Sequence, residues 1–248
     1  MRMLKNKVSL ITGCNRGIGK AILELYAQNG SKIYAHSRKK NEDFVEFLNH
    51  LSEKYDVEII PVFWDLTDYN EMKIFFRKLV KSKEYIDVLV NNAGVTYNSL
   101  FLMSSIVELR KQFEVNFFAL YQLTQYIVKL MTKAKKGSII NVSSTAAFDG
   151  NMGKSAYGPS KAAVHALTQT LSAELGAYNI RVNSVAPGVT DTDMLKSMPE
   201  NIVLETIEQT DIKRLGKPID IANTVLFLGS DYSSYISGQV IRVDGGLK

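Results

Sequence analysis

A chain of 248 residues with 46% hydrophobic and 22% charged side chains can bury a substantial core, and no linker-like composition divides it, so we expect one domain spanning residues 1–248. The net charge of +5 comes from scattered basic residues without a basic stripe, which argues against nucleic-acid binding. No apolar run reaches the roughly 18 residues of a membrane span, no secretory signal is visible and the single cysteine excludes an internal disulfide, so the sequence favours a cytoplasmic protein.

Short apolar, β-branched runs alternate with longer segments of helical periodicity along the whole chain. The runs predict seven strands, at 7–12, 32–37, 58–64, 87–93, 138–144, 180–188 and 240–246. The segment 19–30 places Ile22, Leu25 and Tyr26 on one helical face and ends at an Asn-Gly pair. This alternation predicts an α/β fold: a single-domain, Rossmann-like, doubly wound seven-stranded parallel sheet with helices on both faces.

A glycine-rich turn, TGCNRGIG at 12–19, joins the first predicted strand to the first predicted helix. Gly13, Gly17 and Gly19 allow a tight turn and a close approach of the backbone to a pyrophosphate, beside the free N–H groups of a helix N-terminus. The spacing is GxxxGxG rather than GxGxxG, so a dinucleotide site and a plain tight turn are both open at this point. Cys14 is interpreted as a small space-filling residue rather than a reactive thiol.

The second predicted strand ends in Ser37 and Arg38, where a carboxylate would select NADH by binding the ribose hydroxyls. Arg38 and Arg16 of the glycine-rich turn can instead converge on a 2′-phosphate, because guanidinium groups bind phosphate in a bidentate manner. This pattern favours NADPH/NADP+ as the cofactor. The alternative is that both arginines are ordinary surface residues on loops.

Ser144, Tyr157 and Lys161 form a possible catalytic group. Tyr157 and Lys161 are four residues apart at the start of a predicted helix and therefore lie on one face. A phenol exchanges protons poorly at neutral pH, and a nearby ammonium lowers its pKa by stabilising the phenolate. Ser144 follows the fifth predicted strand and can polarise a carbonyl oxygen that Tyr157 protonates. A chance pairing of tyrosine and lysine on a surface helix is the competing interpretation.

These motifs, in this order, resemble the short-chain dehydrogenase/reductase family over the whole chain. The shared motifs are TGCNRGIG, NNAG at 91–94, Asn116 in FEVNFFAL, Ser144, YGPSK at 157–161 and APGVTDTDM at 186–194. The resemblance implies a catalytic tetrad of Asn116, Ser144, Tyr157 and Lys161. It implies that Asn116 holds a water on a proton relay from Lys161 to solvent.

The resemblance also implies which residues bind the cofactor. Lys161 would hydrogen-bond the nicotinamide ribose, Asp65 the adenine amino group, and Thr192 the region of the carboxamide. The full implied set is Gly13, Asn15, Arg16, Gly17, Ile18, Gly19, Ser37, Arg38, Asp65, Leu66, Asn92, Ala93, Gly94, Tyr157, Lys161, Pro187, Gly188, Val189 and Thr192. His36, His50 and His165 show no metal-binding spacing, so no metal site is expected.

Within the family, the chain is most similar to 3-oxoacyl-acyl-carrier-protein reductases, which implies NADPH-dependent reduction of a ketone to a secondary alcohol. The expected substrate is a 3-oxoacyl thioester or another small molecule; a sugar, a polyol or another non-acyl ketone or alcohol is the alternative. In those reductases basic residues flanking the cleft dock the carrier protein. Lys135 stands at one such position, but Tyr178 replaces the second basic residue, which weakens the prediction of acyl carrier protein as a partner.

The resemblance further implies a homotetramer and a substrate lid at about 190–218. The segment 113–131 is apolar on more than one face, with Phe117, Phe118, Tyr121 and Tyr126, as an interface helix would be. In the lid, Met194, Leu195, Met198, Ile202 and Val203 are interspersed with charges. Tyr97, Ala146, Met152 and Gly153 are expected to line the substrate pocket.

Two other classes of protein compete with an enzyme. A catalytically silent nucleotide sensor could keep the fold and the glycine-rich turn, but such a protein usually lacks the tyrosine or the lysine, and both Tyr157 and Lys161 are present. A nucleic-acid binder would use the positive charge, but Arg16 and Arg38 have a better use at a cofactor phosphate.

Overall fold

The computed structural model describes residues 2–193, 195 and 200–248. The strands within these residues are β1 (Val8–Thr12), β2 (Lys32–Ser37), β3 (Ile59–Phe63), β4 (Val88–Asn91), β5 (Gly137–Val142), β6 (Ile180–Pro187) and β7 (Val240–Val243). The α-helices are α1 (Gly17–Gln28), α2 (Glu42–Tyr55), α3 (Tyr69–Ser82), α4 (Ile106–Phe113), α5 (Ala119–Ala134), α6 (Tyr157–Leu175), α7 (Glu200–Gln209) and α8 (Pro218–Gly229).

The strands form one parallel sheet in the order β3-β2-β1-β4-β5-β6-β7, which confirms the predicted doubly wound α/β fold. Successive strand residues point to opposite faces, so one buried strand serves two cores. Ile11 packs in the core covered by α1, α2 and α8, whereas the preceding Leu10 packs in the core covered by α3 and α5. Both faces of the sheet are therefore covered by helices.

Polar side chains mark where several helices begin. Asn41 accepts a hydrogen bond from the Phe44 amide at the start of α2, and Asp68 accepts from the amides of Asn70 and Glu71 at the start of α3. Helix α1 begins at Gly17, two residues before the predicted boundary. Gly17 itself has a φ of 54°, a left-handed conformation that glycine adopts without steric strain.

The order of the strands reverses at β1, which pairs with β2 on one side and with β4 on the other. In an open parallel sheet this switch point leaves a crevice beyond the carboxyl ends of the strands, where ligands bind. The glycine-rich turn, the 92–95 loop and the residues after β5 and β6 all emerge at this edge. None of the helices described is both long and apolar enough to cross a membrane.

Candidate active site

The turn between β1 and α1 is packed so closely that two of its glycines have no room for a side chain. A Cβ on Gly19 would lie 2.0 Å from the Gly13 carbonyl oxygen, and a Cβ on Gly13, whose φ is 72°, would lie 3.0 Å from the Ala93 Cα atom. The N-cap of α1 is Arg16, whose side chain has no acceptor to offer the first helical amides. Those amides are available for an anion.

The glycine-rich turn is hydrogen-bonded to the loop after β4. The hydroxyl of Thr12 accepts from the amides of Asn92 and Ala93, both at 3.0 Å. In return, the Asn92 side-chain amide donates to the carbonyls of Thr12 and Gly13, at 2.9 and 3.2 Å. These bonds hold two neighbouring loops as one unit at the switch point. The importance of Thr12 was not predicted, because its partners lie about eighty residues further along the chain.

Cys14 is fully buried inside this turn and donates from Sγ to the Ile11 carbonyl at 3.0 Å. Burial raises the pKa of its thiol well above the usual range, so the reactive thiolate is disfavoured. The space-filling interpretation of Cys14 fits this environment. Of the other residues predicted on this turn, Asn15 is exposed and Ile18 is half-buried in α1.

The predicted adenosine end of the cleft lies after β2 and β3. Ser37 is buried, and its hydroxyl donates to the Lys39 carbonyl at 3.0 Å, whereas Arg38 is exposed. Asp65 accepts from the amide and the hydroxyl of Thr67 at 3.0 and 2.7 Å, and these bonds, with a smaller contribution from Arg38, lower the pKa of its carboxyl. Leu66 is buried beside it. Asp65 is therefore a fixed anionic acceptor at the mouth of the cleft.

Arg16, the second predicted phosphate ligand, is exposed in the glycine-rich turn beside the segment after β6. Its Nη1 atom is 3.8 Å from Asp193 Oδ2 in an exposed ion pair. Exposed pairs of this kind contribute little stability, so the guanidinium can exchange this partner for a phosphate at low cost.

The segment after β6 packs against the glycine-rich turn. A Cβ on Gly17 would lie 3.3 Å from Thr192 Cγ2, and a Cβ on Gly188 would lie 2.6 Å from the Cβ of Asp244. Pro187 ends β6, and the half-buried Val189 accepts through its carbonyl from the Gly216 amide at 3.0 Å. Thr192 is thus placed across the cleft from the first turn of α1. Met194 and Met198 of the predicted lid lie outside the described residues.

Ser144 and Tyr157 meet across the loop between β5 and α6. Burial raises the pKa of the Tyr157 phenol, and the nearby Ser144 hydroxyl lowers it by a smaller amount. Ser144 Oγ accepts a hydrogen bond from the Ala146 amide at 3.2 Å, which fixes its rotamer. A Cβ on Gly158 would lie 2.7 Å from the Ala146 carbonyl oxygen, so only glycine lets the start of α6 approach this loop so closely.

Lys161 lies one turn after Tyr157 on α6, as predicted, and is buried. Its Nζ donates to the Val142 carbonyl at 2.9 Å and lies 5.9 Å from the centroid of the Tyr157 ring. Burial lowers the pKa of Lys161 to about 8. An ammonium in this place can stabilise a Tyr157 phenolate.

Asn116 sits in a π-helical turn, Glu114–Phe118, between α4 and α5. Its side chain accepts from the Val95 amide at 2.8 Å and donates to the Val95 carbonyl at 2.9 Å and to Ser160 Oγ at 3.0 Å. A Cβ on Gly94 would lie 3.2 Å from Asn116 Oδ1 and 3.3 Å from Lys161 Nζ, so both side chains border the same point of the cleft. The π-turn is not visible in the sequence pattern, although such turns often occur at functional sites.

Three of the predicted substrate-pocket residues border one pocket, which Gly158, the residue after Tyr157, also lines. A pocket of about 710 Å³ is lined by Ala146, Met152 and Gly153 together with Leu100, Phe101 and Lys154. Tyr97 is half-exposed on the neighbouring loop and hydrogen-bonds Gln112 through its amide, at 3.2 Å. Phe101 and Lys154 were not predicted; the signal for Lys154 is its position three residues before Tyr157.

The two positions considered for carrier docking lie at the opposite edge of the sheet. Lys135 ends α5, just before β5, and Tyr178 is in the turn before β6, whereas Ser144 and Tyr157 lie beyond the carboxyl ends of the strands. The expectation that Lys135 flanks the cleft is therefore wrong within a single chain. The reason is that α5 runs antiparallel to the strands and carries its last residue away from the site.

The residues present fit a nicotinamide dinucleotide. The open first turn of α1 suits a pyrophosphate, and Asp65 presents an exposed carboxylate after β3. Gly94 is exposed, and a side chain there would crowd Asn116 and Lys161. No group of three His, Cys, Asp or Glu in the described ranges could hold a metal ion. Fold and site together define an oxidoreductase that uses a nicotinamide cofactor.

Comparison with known proteins identifies the family. The profile of a family described as Enoyl-(Acyl carrier protein) reductase matches residues 13–248. The 3-oxoacyl-[acyl-carrier-protein] reductase FabG of Thermotoga maritima is 40% identical over 246 residues, 98% of this chain and 98% of its own. The 3alpha-hydroxysteroid dehydrogenase of Mediterraneibacter gnavus is 37% identical over 248 residues, 99% of this chain and 98% of its own.

Solved structures agree with this result. A short chain dehydrogenase/reductase family protein that is 31% identical superposes with a TM-score of 0.85, covering 98% of both chains. A protein of Agrobacterium tumefaciens that is 26% identical superposes with a TM-score of 0.93 over 98% of this chain and 96% of its own. The chain belongs to the short-chain dehydrogenase/reductase family.

Proposed function

We propose that the protein is an NADPH-dependent reductase that converts a 3-oxoacyl thioester to the 3-hydroxyacyl product. The observation that carries the proposal is the Ser144 hydroxyl close to the Tyr157 phenol, with the Lys161 ammonium one helical turn away, beside a cleft suited to a dinucleotide. Relatives named 3-oxoacyl-[acyl-carrier-protein] reductase support the substrate class.

NADPH, when bound, supplies the hydride, and the protein supplies orientation and one proton. Ser144 donates a hydrogen bond to the substrate carbonyl oxygen, and Tyr157 Oη transfers its proton to that oxygen as negative charge develops there. Lys161 stabilises the resulting phenolate and lies close enough to Gly94 to reach a ribose hydroxyl in the cleft. Asn116 hydrogen-bonds Val95 and Ser160 and so holds the 94–95 loop against α6. We propose that, from this position, it takes part in the proton relay from Lys161 to solvent.

NADPH is proposed over NADH because Arg38, after β2, and Arg16, in the glycine-rich turn, are both exposed. An exposed guanidinium can bind a 2′-phosphate in a bidentate manner without breaking a buried interaction. Ser37 in place of a carboxylate removes the repulsion that a phosphate would otherwise meet.

The remaining parts of the proposal concern the assembly and its partners. We propose one domain over residues 1–248 with a lid at about 190–218, a homotetramer and a cytoplasmic location. The exposed faces of Phe118 and Tyr121 on the α4–α5 segment support an oligomer. An acyl carrier protein at the cleft of one chain would contact Lys135 only if that lysine belongs to a neighbouring copy in the proposed tetramer.

A second candidate is the reduction or oxidation of a non-acyl ketone or alcohol, including sugars and polyols. It is favoured by the 37% identical relative named 3alpha-hydroxysteroid dehydrogenase. The test compares loss of NADPH and NADH absorbance with an acetoacetyl thioester and with a panel of steroid, sugar and simple ketones. Rapid turnover of the thioester with NADPH is expected; turnover confined to the other ketones would transfer the assignment to the second candidate.

A further inference from the structure

A second ammonium lies beside the Tyr157 ring. Lys154 precedes Tyr157 by three residues, and its Nζ is 5.2 Å from the centroid of the phenol ring. The Nζ of Lys161 is 5.9 Å from the same centroid. Both distances are within the range at which a cation interacts with an aromatic ring, so two ammonium groups lie against one phenol ring.

Lys154 is held in place by neutral partners. Its Nζ donates to Asn98 Oδ1 at 2.6 Å and makes a longer contact, 3.5 Å, with Thr96 Oγ1. Throughout the described ranges, no carboxylate lies within ion-pair distance of this ammonium. Its charge is therefore not cancelled locally, and its partial burial, which lowers the pKa of Lys154, leaves its field less screened than that of a surface lysine.

Among the described residues, the other groups around the phenol do not supply a compensating negative charge. On α6 these are Lys161 and, one turn further, His165, whose pKa is lowered to about 4 by burial and by the Lys161 charge and which is thus neutral at pH 7. From the loop after β5, Ser144 is uncharged and Asp149 is paired with Arg242 at 3.0 Å. From the π-turn, Asn116 is neutral, as are Thr96 and Asn98 from the loop after β4.

We propose that Lys154 is a positioning residue that stabilises the Tyr157 phenolate together with Lys161, and so sets the pH range in which Tyr157 exchanges its proton with substrate. In the reduction direction, the O–H bond of Tyr157 breaks as an O–H bond forms on the substrate oxygen. The phenolate left behind is the anion on which both ammonium groups act. The catalytic meaning of this inference rests on the proposed function, but the effect on the phenol does not.

The test is a titration of Tyr157 by tyrosinate absorbance, without substrate. The signal of Tyr157 is isolated by subtraction. The titration of Tyr157→Phe is subtracted from that of the wild type, and the titration of the Lys154→Gln, Tyr157→Phe double variant is subtracted from that of Lys154→Gln. Glutamine keeps a donor for Asn98 but removes the charge, so the apparent pKa of Tyr157 is expected to rise. Lys154→Arg keeps the charge and is expected to leave the titration near that of the wild type.

Two further variants make the test specific. Asn98→Asp places a carboxylate against Lys154 and is expected to raise the Tyr157 pKa even though the lysine is intact, which also covers the case in which Lys154→Gln does not fold. Lys54→Gln is the matched control, because Lys54 lies 5.1 Å from the Tyr55 ring on α2 and its removal deletes the same charge away from the site. Lys54→Gln is expected to leave the Tyr157 titration unchanged.

A Tyr157 titration that coincides in Lys154→Gln and the wild type would overturn the inference, as would an arginine variant shifted as far as the glutamine variant. In activity assays, the fall of the reduction rate at alkaline pH is expected at higher pH in Lys154→Gln, because Tyr157 stays protonated for longer. If the titration shifts but no ketone is reduced, the inference holds and the proposed function fails. If ketones are reduced but the titration does not move, only the inference fails.

Discussion

Lys161 Nζ donates a 2.9 Å hydrogen bond to the carbonyl oxygen of Val142, two residues before Ser144. The bond joins helix α6 to the last residue of β5 and so fixes the position of Tyr157 relative to Ser144. A single lysine thus has two effects: its stem and hydrogen bond set the geometry, and its charge stabilises the phenolate. For this reason a Lys161 variant would not separate the two, and Tyr157 is the better first substitution.

Tyr157→Phe removes the proton donor and keeps the ring. We expect turnover to fall by a factor of about 100 or more, the usual contribution of a positioned acid, while NADPH binding remains within a few-fold of the wild type. Steady-state rates and NADPH fluorescence titration measure the two effects. A variant that kept more than about a tenth of the wild-type rate would refute the role of Tyr157.

Arg38→Ala is expected to weaken NADPH binding roughly ten-fold or more and to leave NADH binding almost unchanged, because only NADPH carries the 2′-phosphate. Dissociation constants for both cofactors are measured on the same variant. Lys54→Ala removes a positive charge from α2 outside the proposed site and is the control for a general loss of electrostatic attraction. Equal changes for NADPH and NADH in Arg38→Ala would show that the guanidinium does not bind the phosphate.

Gly94→Ala adds a methyl group 3.2 Å from Asn116 Oδ1 and 3.3 Å from Lys161 Nζ, so both polar atoms must shift slightly to make room for it. Small shifts of groups at a reacting centre cost roughly ten-fold in rate. We expect kcat/KM to fall by that factor with little change in the thermal midpoint. The control is Gly176→Ala, since nothing lies within 4 Å of the position of its Cβ. Unchanged kinetics in Gly94→Ala would mean that these side chains need not hold their observed positions.

Phe118→Glu tests the proposed oligomer. The Phe118 side chain is 49% exposed in the single chain and lies next to the exposed Tyr121 on the α4–α5 segment. By light scattering, the wild type is expected at four times the chain mass of 27.7 kDa, and the variant at a lower mass. Ile74→Glu is the control, because Ile74 is 50% exposed on α3, outside the proposed interface. A monomeric wild type would contradict the tetramer.

The free energy of unfolding is expected to decrease as pH falls from about 6.5 toward about 4. Burial lowers the pKa of both His36 and His165 from 6.5 to about 4, so over this interval the unfolded chain binds protons that the folded chain does not. Each added proton then favours the unfolded state. Urea unfolding at several pH values measures the slope, and His36→Leu is expected to make it shallower whatever its effect at pH 7. An equal slope in the variant would exclude His36 as a contributor.

The sequence predicts the parts of this structure that depend on local pattern. Strand and helix periodicity leads to the doubly wound sheet, and the spacing of Tyr157 and Lys161 places both on one face of α6. The contacts that hold the site together join residues distant in the chain, and no local pattern reveals them. Thr12 binds Asn92 and Ala93, and Lys154 binds Asn98, through bonds that exist only after the loops have met.

Tyr178 illustrates a second property that the sequence pattern does not reveal, the side of the sheet on which a residue lies. An aligned position can be identified from the sequence, but its location relative to the cleft depends on the direction in which each helix crosses the sheet. Because α5 and α6 both start at the edge that carries the site and end at the other, residues at their C-termini are far from Ser144 and Tyr157 of the same chain.

The π-helical turn Glu114–Phe118 places Asn116 and Phe118 two residues apart in one continuous helical segment, the first fully buried and the second half-exposed. The buried residue holds the 94–95 loop that borders the cleft, and the exposed one faces the proposed neighbouring copy. In the proposed oligomer, these five residues would link the interface to the cleft. A substitution that repacks this turn between copies would then act on the same segment that carries Asn116.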